Sequence, residues 1–567
     1  MKASQFSPSL RQITVSILLL ISTSLIAQQF ARNGMVVSSS KIASEVGQSI
    51  LQKGGNAVDA SIAAAFALAV TWPSAGNIGG GGFLLFMNNG GDVTSIDFRE
   101  KAPLAASSLM FLDDEGNLIE KGNHMGIKSV GVPGTVAGLY LAHQKYGKLP
   151  WKDLVQPAID LAMKGFDFTW TLYFHALYFK ENYNISYPDL ANFMLDEQGE
   201  LIQPGDKWKQ KELGESLQRI RDHGRDGFYK GKTAKLLIQY MEQNGGLISR
   251  EDLDKYKAIE RKPVKGNYRG FDIFSMGPPS SGGLVLIEML NMLENYDPVK
   301  LGYGSAEYYH TLAEIMRRAF ADRAKFLGDP DFNVEMPTDL FLSKQHAKNL
   351  VSTIKTDKAG VSDSSQYGQS YEGDHTTHLS VIDSDGNAVS LTYTLEYSYG
   401  SRHVPNGLGF LLNNEMGDFN PVPGLTNNRG LIGTSPNQIA PEKRMLSSMT
   451  PTIVAKDSKP FLIIGSPGGK TIINSVFQTI IHILDFEMNI AGAIEAGKIH
   501  HQWLPDRMMY ENGAISPDTK LLLEKMGYTL FKVENIGSLM GIVVNRETQV
   551  MSGHADSSSQ DGGVAGY

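Results

Sequence analysis

The stretch Asp374-His375-Thr376-Thr377-His378-Leu379-Ser380-Val381-Ile382-Asp383 is followed by an Asp385-Gly386 pair and an apolar run, Ala388 to Tyr393. Apolar run, tight turn and apolar run predict a hairpin: one strand through Val381, then a second ending in Thr392-Tyr393-Thr394. Hydroxyl residues open the first strand and close the second, so pairing brings the Thr376 end beside the Thr394 end. A threonine hydroxyl is a poor nucleophile without a base. Cutting the chain before Thr376 supplies one, because the freed α-amine of that residue can take the hydroxyl proton. Such an amine titrates near ~8, close to working pH. A Thr-Thr-His triplet alone is also an ordinary strand sequence, so the rest of the chain must decide.

Residues 352–374 are polar and rich in Ser, Gly, Asp and Gln. They read as a loop, where a scissile segment has to be exposed or strained. The His-x-x-His of His375 and His378 lacks the supporting acid of a zinc helix, and a strand would point the two residues apart. No other metal-ligand cluster stands out, so neither a metal nor a cofactor is expected. Further on, Gly407 to Phe419 predicts a short strand that delivers Glu415 and Asp418 onto a loop; the plain alternative is a solvated acidic turn. Residues 420–440, rich in Pro, Gly and Asn, could cover a site as a lid. Arg444 to Pro451, which contains Ser447 and Ser448, precedes a strand, Thr452 to Ala455. Gly465-Ser466-Pro467-Gly468-Gly469-Lys470-Thr471 lies between a strand, Phe461 to Ile464, and a helix, Ile472 to Leu484. A phosphate loop would need a glycine where Ile464 stands, so this loop is too short. Backbone N–H groups at such a turn can instead hold an oxyanion.

Upstream, residues 40–70 predict two helices broken at Gly54-Gly55, the second buried nearly all round. The run Gly79 to Gly82 sits between helix and strand, the reverse of a dinucleotide-binding order. Its glycines instead suit a close approach of backbone to something packed on it. The strand Val93 to Phe98 ends in Arg99-Glu100. An Arg there can grip a carboxylate with two prongs, or form a surface ion pair. Residues 130–250 are helical in pattern, and the aromatics from Phe166 to Tyr187 read as core and helix-packing residues. Helices are expected over Leu284 to Leu293 and over 305–327.

The chain has 567 residues, 42% of them hydrophobic and 20% charged, ample for a large core. A net charge of −8 and the lack of a basic cluster argue against a nucleic-acid partner. There is no cysteine, which excludes disulfides, thiolate metal sites and a cysteine nucleophile. Residues 1–27 read as a secretory signal: basic Lys2 and Arg11, apolar Ile13 to Ile26, and a cleavage edge at Ala27. An uncleaved anchor is the alternative. No later stretch is apolar and long enough to span a bilayer. The expected location is periplasmic or secreted, in a bacterium.

Taken together, these motifs resemble the γ-glutamyltranspeptidases (glutathione hydrolases) of the N-terminal-nucleophile hydrolase superfamily, from about residue 35 to Tyr567. The resemblance rests on motifs in family order: Gly54 to Ala60, Asn77 to Gly82, Asp97 to Glu100, Pro133 to Gly138, Pro278 to Gly283, Thr376-Thr377-His378, Leu446 to Met449 and Gly465 to Gly469. It implies an α+β fold, a four-layer αββα sandwich of two stacked sheets flanked by helices. It also implies self-cleavage between His375 and Thr376. The products would be a large subunit, 28–375, and a small subunit, 376–567, that form a heterodimer. By the same resemblance Thr376 is the nucleophile, Thr394 bonds it, and Gly468 and Gly469 form the oxyanion turn. Arg99, Ser447 and Ser448 would hold the substrate α-carboxylate. Asp418, assisted by Glu415, would hold the α-ammonium. The implied donor is glutathione or another γ-glutamyl compound, and the acceptor is water, an amino acid or a dipeptide.

Two residues depart from the family pattern. Glu396, in the substrate site, stands where many members carry Asn. Arg429 stands where several bacterial members carry a lid tyrosine. An alternative within the superfamily is a cephalosporin-acylase-like amidohydrolase that cleaves a glutaryl amide. Such a substrate has no α-ammonium, so Asp418 and Glu415 favour the γ-glutamyl reading. A non-catalytic envelope protein with the same fold would remain one uncut chain.

Overall fold

The computed structural model describes residues 28–567 except 184, 197, 364–375 and 428–432. The signal-like segment 1–27, His375 and Arg429 therefore lie outside the described residues. The hairpin forms as expected: Thr376–Ile382 pairs antiparallel with Ala388–Thr394, from Thr376 opposite Thr394 to Ile382 opposite Ala388. Every residue of both strands is buried. The period of two therefore separates two interiors rather than interior from water. Leu379, Val381, Val389, Leu391 and Tyr393 join a core under helices. Ile382 and Ala388 join a core between two sheets. On that second face, Ser380 Oγ donates to Met540 O at 3.1 Å and Ser390 Oγ to Ile464 O at 3.0 Å. His378 bonds Thr392 Oγ1 at 2.8 Å and Ser380 Oγ at 3.1 Å. Burial pushes its imidazole down to about 3, so it stays neutral and packs between the sheets.

The hairpin is the centre of a seven-stranded antiparallel sheet in the order Gly563–Gly566, Met35–Ser38, Thr376–Ile382, Ala388–Thr394, Gly81–Met87, Val93–Asp97, Ile259–Arg261. A second seven-stranded antiparallel sheet runs Gln29–Ala31, Met551–Ala555, Met540–Val544, Lys459–Gly465, Thr452–Lys456, Phe271–Ser275, Val264–Tyr268. Met35, Leu85, Ile463 and Ile542 fill the space between them. Helices Lys41–Gln52, Ala57–Thr71 and Trp151–Lys164 cover the first sheet. Gly282–Leu293, Ala306–Phe326 and Thr471–Leu484 cover the second. This is the expected αββα sandwich, with strands from both sides of Thr376 in each sheet.

Local signals explain the elements. All fifteen residues of Ala57–Thr71 are buried, and Asn56 starts that helix with a capping box to Asp59. Two expectations fail. No strand precedes Glu415: Leu408, Phe410, Leu411 and Leu412 fill the helix-side core as a loop. Their backbone finds loop partners, such as His403 O for Leu412 N at 3.1 Å. The aromatics of 166–187 are also only partly core. Trp170, Phe174 and Tyr178 recur every fourth residue on the outer side of the helix Trp170–Asn182, and all three are exposed. Among the described residues no helix is long and apolar enough to cross a membrane.

Candidate active site

Thr376 and Thr394 meet at the end of the inter-sheet face. Thr376 Oγ1 donates to Thr394 Oγ1 at 3.3 Å, and the Glu396 N–H donates to the same Thr394 oxygen at 2.8 Å. The glycine run holds this end of the strand. A Cβ on Gly80 would stand 2.0 Å from Thr394 O, so no other residue fits there. Asn77 Nδ2 donates to Thr394 O at 2.9 Å.

Arg99 follows the strand Val93–Asp97, one strand beyond Gly81–Met87, and is fully buried. Its two terminal nitrogens pair with Glu415 and Asp418. Nε donates to Met445 O at 3.3 Å, and Nη2 also donates to Leu446 O at 3.2 Å. Burial opposes the guanidinium charge, but Glu415, Asp418 and Glu100 outweigh it and hold Arg99 above its ordinary value. Burial pushes the Glu415 carboxyl well above the usual range, against the pull of Arg99. It lifts Glu100, 3.7 Å from Arg99, to about 8. Glu415 and Asp418 lie on a buried 3-10 turn, not a solvated loop. Glu415 Oε2 and Asp418 Oδ1 are buried and accept no hydrogen bond, so both can receive an ammonium.

Ser448 Oγ accepts from Arg323 Nη2 at 3.0 Å, and Ser281 Oγ accepts from Arg323 Nε at 2.8 Å. Burial pushes Arg323 down to about 10, which leaves it charged at working pH. Ser447 Oγ accepts from Met449 N at 3.1 Å. Glu396 bonds His124 Nδ1 at 2.7 Å and also Asn414 Nδ2. His124 is lowered to about 4 by burial, so a neutral ring donates this bond. Gly468 and Gly469 have φ of 130° and 54°, just before the helix Thr471–Leu484. Their backbone turns at a helix start, where N–H groups have no partner within the helix.

These side chains enclose one recess, lined by Arg99, Thr376, Thr394, Glu396, Glu415, Asp418, Ser447, Ser448 and Gly469. On its other side Thr376 lines an open cavity of about 1070 Å³, with Trp72, His175, Gly468, Lys532 and Glu534 among its walls. Thr376 is therefore the shared wall of a small charged recess and a large open cavity. Every site residue expected from sequence falls at this junction except His375, which lies outside the described residues. Arg323 and His124 were not anticipated, because neither stands in a motif. One group of metal-ligating type occurs among the described residues, Glu288, Asp322 and His346. Three helices assemble these residues, which are far apart in sequence and form no motif along the chain.

A profile of the family described as Gamma-glutamyltranspeptidase matches residues 43–567. The glutathione hydrolase proenzyme of Escherichia coli K12 is 46% identical over 541 residues, 95% of this chain and 92% of that protein. The crystal structure of Helicobacter pylori gamma-glutamyltranspeptidase superposes with a TM-score of 0.55 at 44% identity, over 57% of this chain and 92% of that one. A cephalosporin acylase from Bacillus halodurans superposes with a TM-score of 0.83 over all of this chain and 99% of its own. At 24% identity that likeness speaks for the fold alone.

Proposed function

The chain belongs to the γ-glutamyltranspeptidase family, and on that premise we propose how its own residues perform γ-glutamyl hydrolysis and transfer on glutathione and related amides. The precursor cuts itself: the Thr376 hydroxyl attacks the carbonyl before it, the peptide bond shifts to an ester and so frees the Thr376 α-amine, and water then hydrolyses the ester to leave a carboxylate on the large fragment and the hydroxyl on Thr376. The products, 28–375 and 376–567, remain a heterodimer because both sheets need strands from each. Export to the periplasm or medium is supported by the signal-like residues 1–27.

In the mature enzyme the Thr376 amine takes the hydroxyl proton, and the oxygen attacks the γ-carbonyl. Backbone N–H groups at Gly468-Gly469 hold the oxyanion. The departing amine takes the proton, which leaves a γ-glutamyl ester on Thr376. Water or an amino acid or dipeptide then enters from the large cavity and reverses the steps. The glutamyl end binds in the recess by exchange of partners. Its α-carboxylate takes the fork of Arg99, with Ser447 and Ser448. Its α-ammonium takes Asp418 Oδ1 and Glu415 Oε2. A zwitterion does this with no change in buried charge.

The observation that carries the reading is the position of Thr376 between these two spaces. The test compares a γ-glutamyl anilide with a glutaryl anilide, with and without glycylglycine. We expect turnover of the first only, and transfer of its acyl group to the dipeptide. Equal turnover of both would favour the glutaryl acylase reading, in which Glu415 and Asp418 would lack a cationic partner on the substrate.

A further inference from the structure

Away from this site, three helices bring together Glu288 on Gly282–Leu293, Asp322 on Ala306–Phe326 and His346 on Lys344–Val351. His346 Nε2 lies 2.7 Å from Asp322 Oδ2 and 3.3 Å from Glu288 Oε1. One ligand atom from each residue falls within 4.8 Å of the others. Glu288 is buried, and neither of its carboxylate oxygens finds a hydrogen-bond partner. Among the described residues no Lys or Arg pairs with any of the three. Two carboxylates thus face one imidazole in a mostly dry place, and no nearby cation balances them.

We propose that Glu288, Asp322 and His346 bind one borderline transition-metal dication, with Zn2+ the ion that best fits the donors. Two carboxylates, a neutral imidazole and a dication sum to zero charge, which removes the cost of the unpartnered Glu288. Ligand atoms around Zn2+ at bond lengths of about 2.0–2.1 Å sit roughly 3.3 Å apart in a tetrahedron. The Glu288–His346 spacing matches that already, and the Asp322–His346 contact needs to open by about half an ångström. Ca2+ and Mg2+ favour all-oxygen shells, so the imidazole argues against them. The Asp322 and His346 side chains are 15% and 20% exposed, which leaves an entry path and a fourth position for water.

The ion would clamp three helices that cover the second sheet. Asp322 precedes Arg323, whose guanidinium reaches Ser281, at the start of the Glu288 helix, and Ser448 in the recess. The metal would act as a structural clasp for the helices behind Ser448, with no part in the reacting atoms.

The test uses the full-length, untagged, processed protein, dialysed against a chelator and titrated with ZnCl2 in competition with a chromogenic chelator. One Zn2+ should bind per chain and raise Tm, and Mg2+ should give no rise. Glu288→Gln and His346→Ala should each weaken binding at least 100-fold and abolish the Tm gain. Both should keep turnover of a γ-glutamyl anilide. If either variant fails to fold, Asp322→Asn gives the same reading at a partly exposed ligand. Absence of stoichiometric binding, or equal affinity in these variants, would overturn the site. An equal Tm gain from Mg2+ would overturn the choice of ion, and loss of all turnover in the chelated enzyme would overturn the purely structural role.

Discussion

Thr376 Oγ1 and Thr394 Oγ1 lie 3.3 Å apart across a strand pair in which the two residues are direct partners. Thr394 also accepts the Glu396 N–H, so its oxygen is held in place to accept the Thr376 hydroxyl hydrogen bond and orient that hydroxyl. Thr394→Val keeps the shape and removes the acceptor. Losing about 1.5–3 kcal/mol should slow the acylation step roughly 10–100-fold. Single-turnover kinetics on a γ-glutamyl anilide would show this, and an unchanged rate would remove Thr394 from the mechanism.

In the proposed reaction Arg99 and Asp418 take opposite charges of one substrate. Asp418→Asn keeps size but loses the ammonium's partner, and should cost about 2–5 kcal/mol in kcat/KM. Arg99→Ala should lose a similar amount of activity. It should also lower stability by about 3–5 kcal/mol, because Glu415 and Asp418 are left buried without a cation. Self-cleavage should proceed in Asp418→Asn, since no glutamyl group takes part in it. Wild-type activity of that variant would break the assignment.

Glu396 has φ of 78°, a left-handed backbone that Asn tolerates better than Glu. Its carboxylate offsets this by bonding His124 and Asn414, and the His124 ring stacks on Tyr397 at 5.0 Å. Glu396→Asn should relieve the backbone but break the His124 bond. We expect the donor KM to rise several-fold with kcat little changed, and His124→Ala to act in the same direction. Identical donor KM values in all three proteins would separate Glu396 from donor binding.

The hairpin was legible because it depends on local pattern, and the sandwich because contiguous motifs carry a family resemblance that implies it; the two spaces on either side of Thr376 were not legible. Thr376, Arg99 and Gly468-Gly469 stand in such motifs. Arg323 does not: in the last turn of a helix, an arginine reads like any solvent-facing charge, yet this one is buried behind Ser448. His124 lies in a segment with no periodicity, and only tertiary packing carries it to Glu396. The apolar run before Glu415 has strand composition, but core burial rather than sheet pairing decided its form. Glu288, Asp322 and His346 share no sequence spacing at all, so only the packing of three helices reveals them.

Buried ionisable groups predict a maximum in stability against pH. Burial lowers His124, His482 and His501 to about 4, and His378 and His500 to about 3. Unfolded, they titrate near ~6.5. The stability they contribute is present above that value and lost as pH falls toward 4. Glu100, lifted to about 8, with Glu415 also raised, acts in the opposite sense. Their contribution is present below about 4.5 and lost as pH rises through their folded values. The histidine contribution grows as pH rises to about 6.5, and the loss from raised carboxyls such as Glu100 continues above it. Tm measured from pH 4 to 9 should peak near about 6.5; a steady climb to pH 9 would contradict the balance.

Thr376 as a self-released N-terminal nucleophile is the claim on which the rest depends. Intact mass and N-terminal sequence of the wild-type protein, purified without added protease beside Thr376→Ala, test it directly. The wild type should be two chains, the smaller beginning at Thr376, and Thr376→Ala should remain one inactive chain. An active wild type that stays uncut, or a new N-terminus at any other residue, would contradict the account.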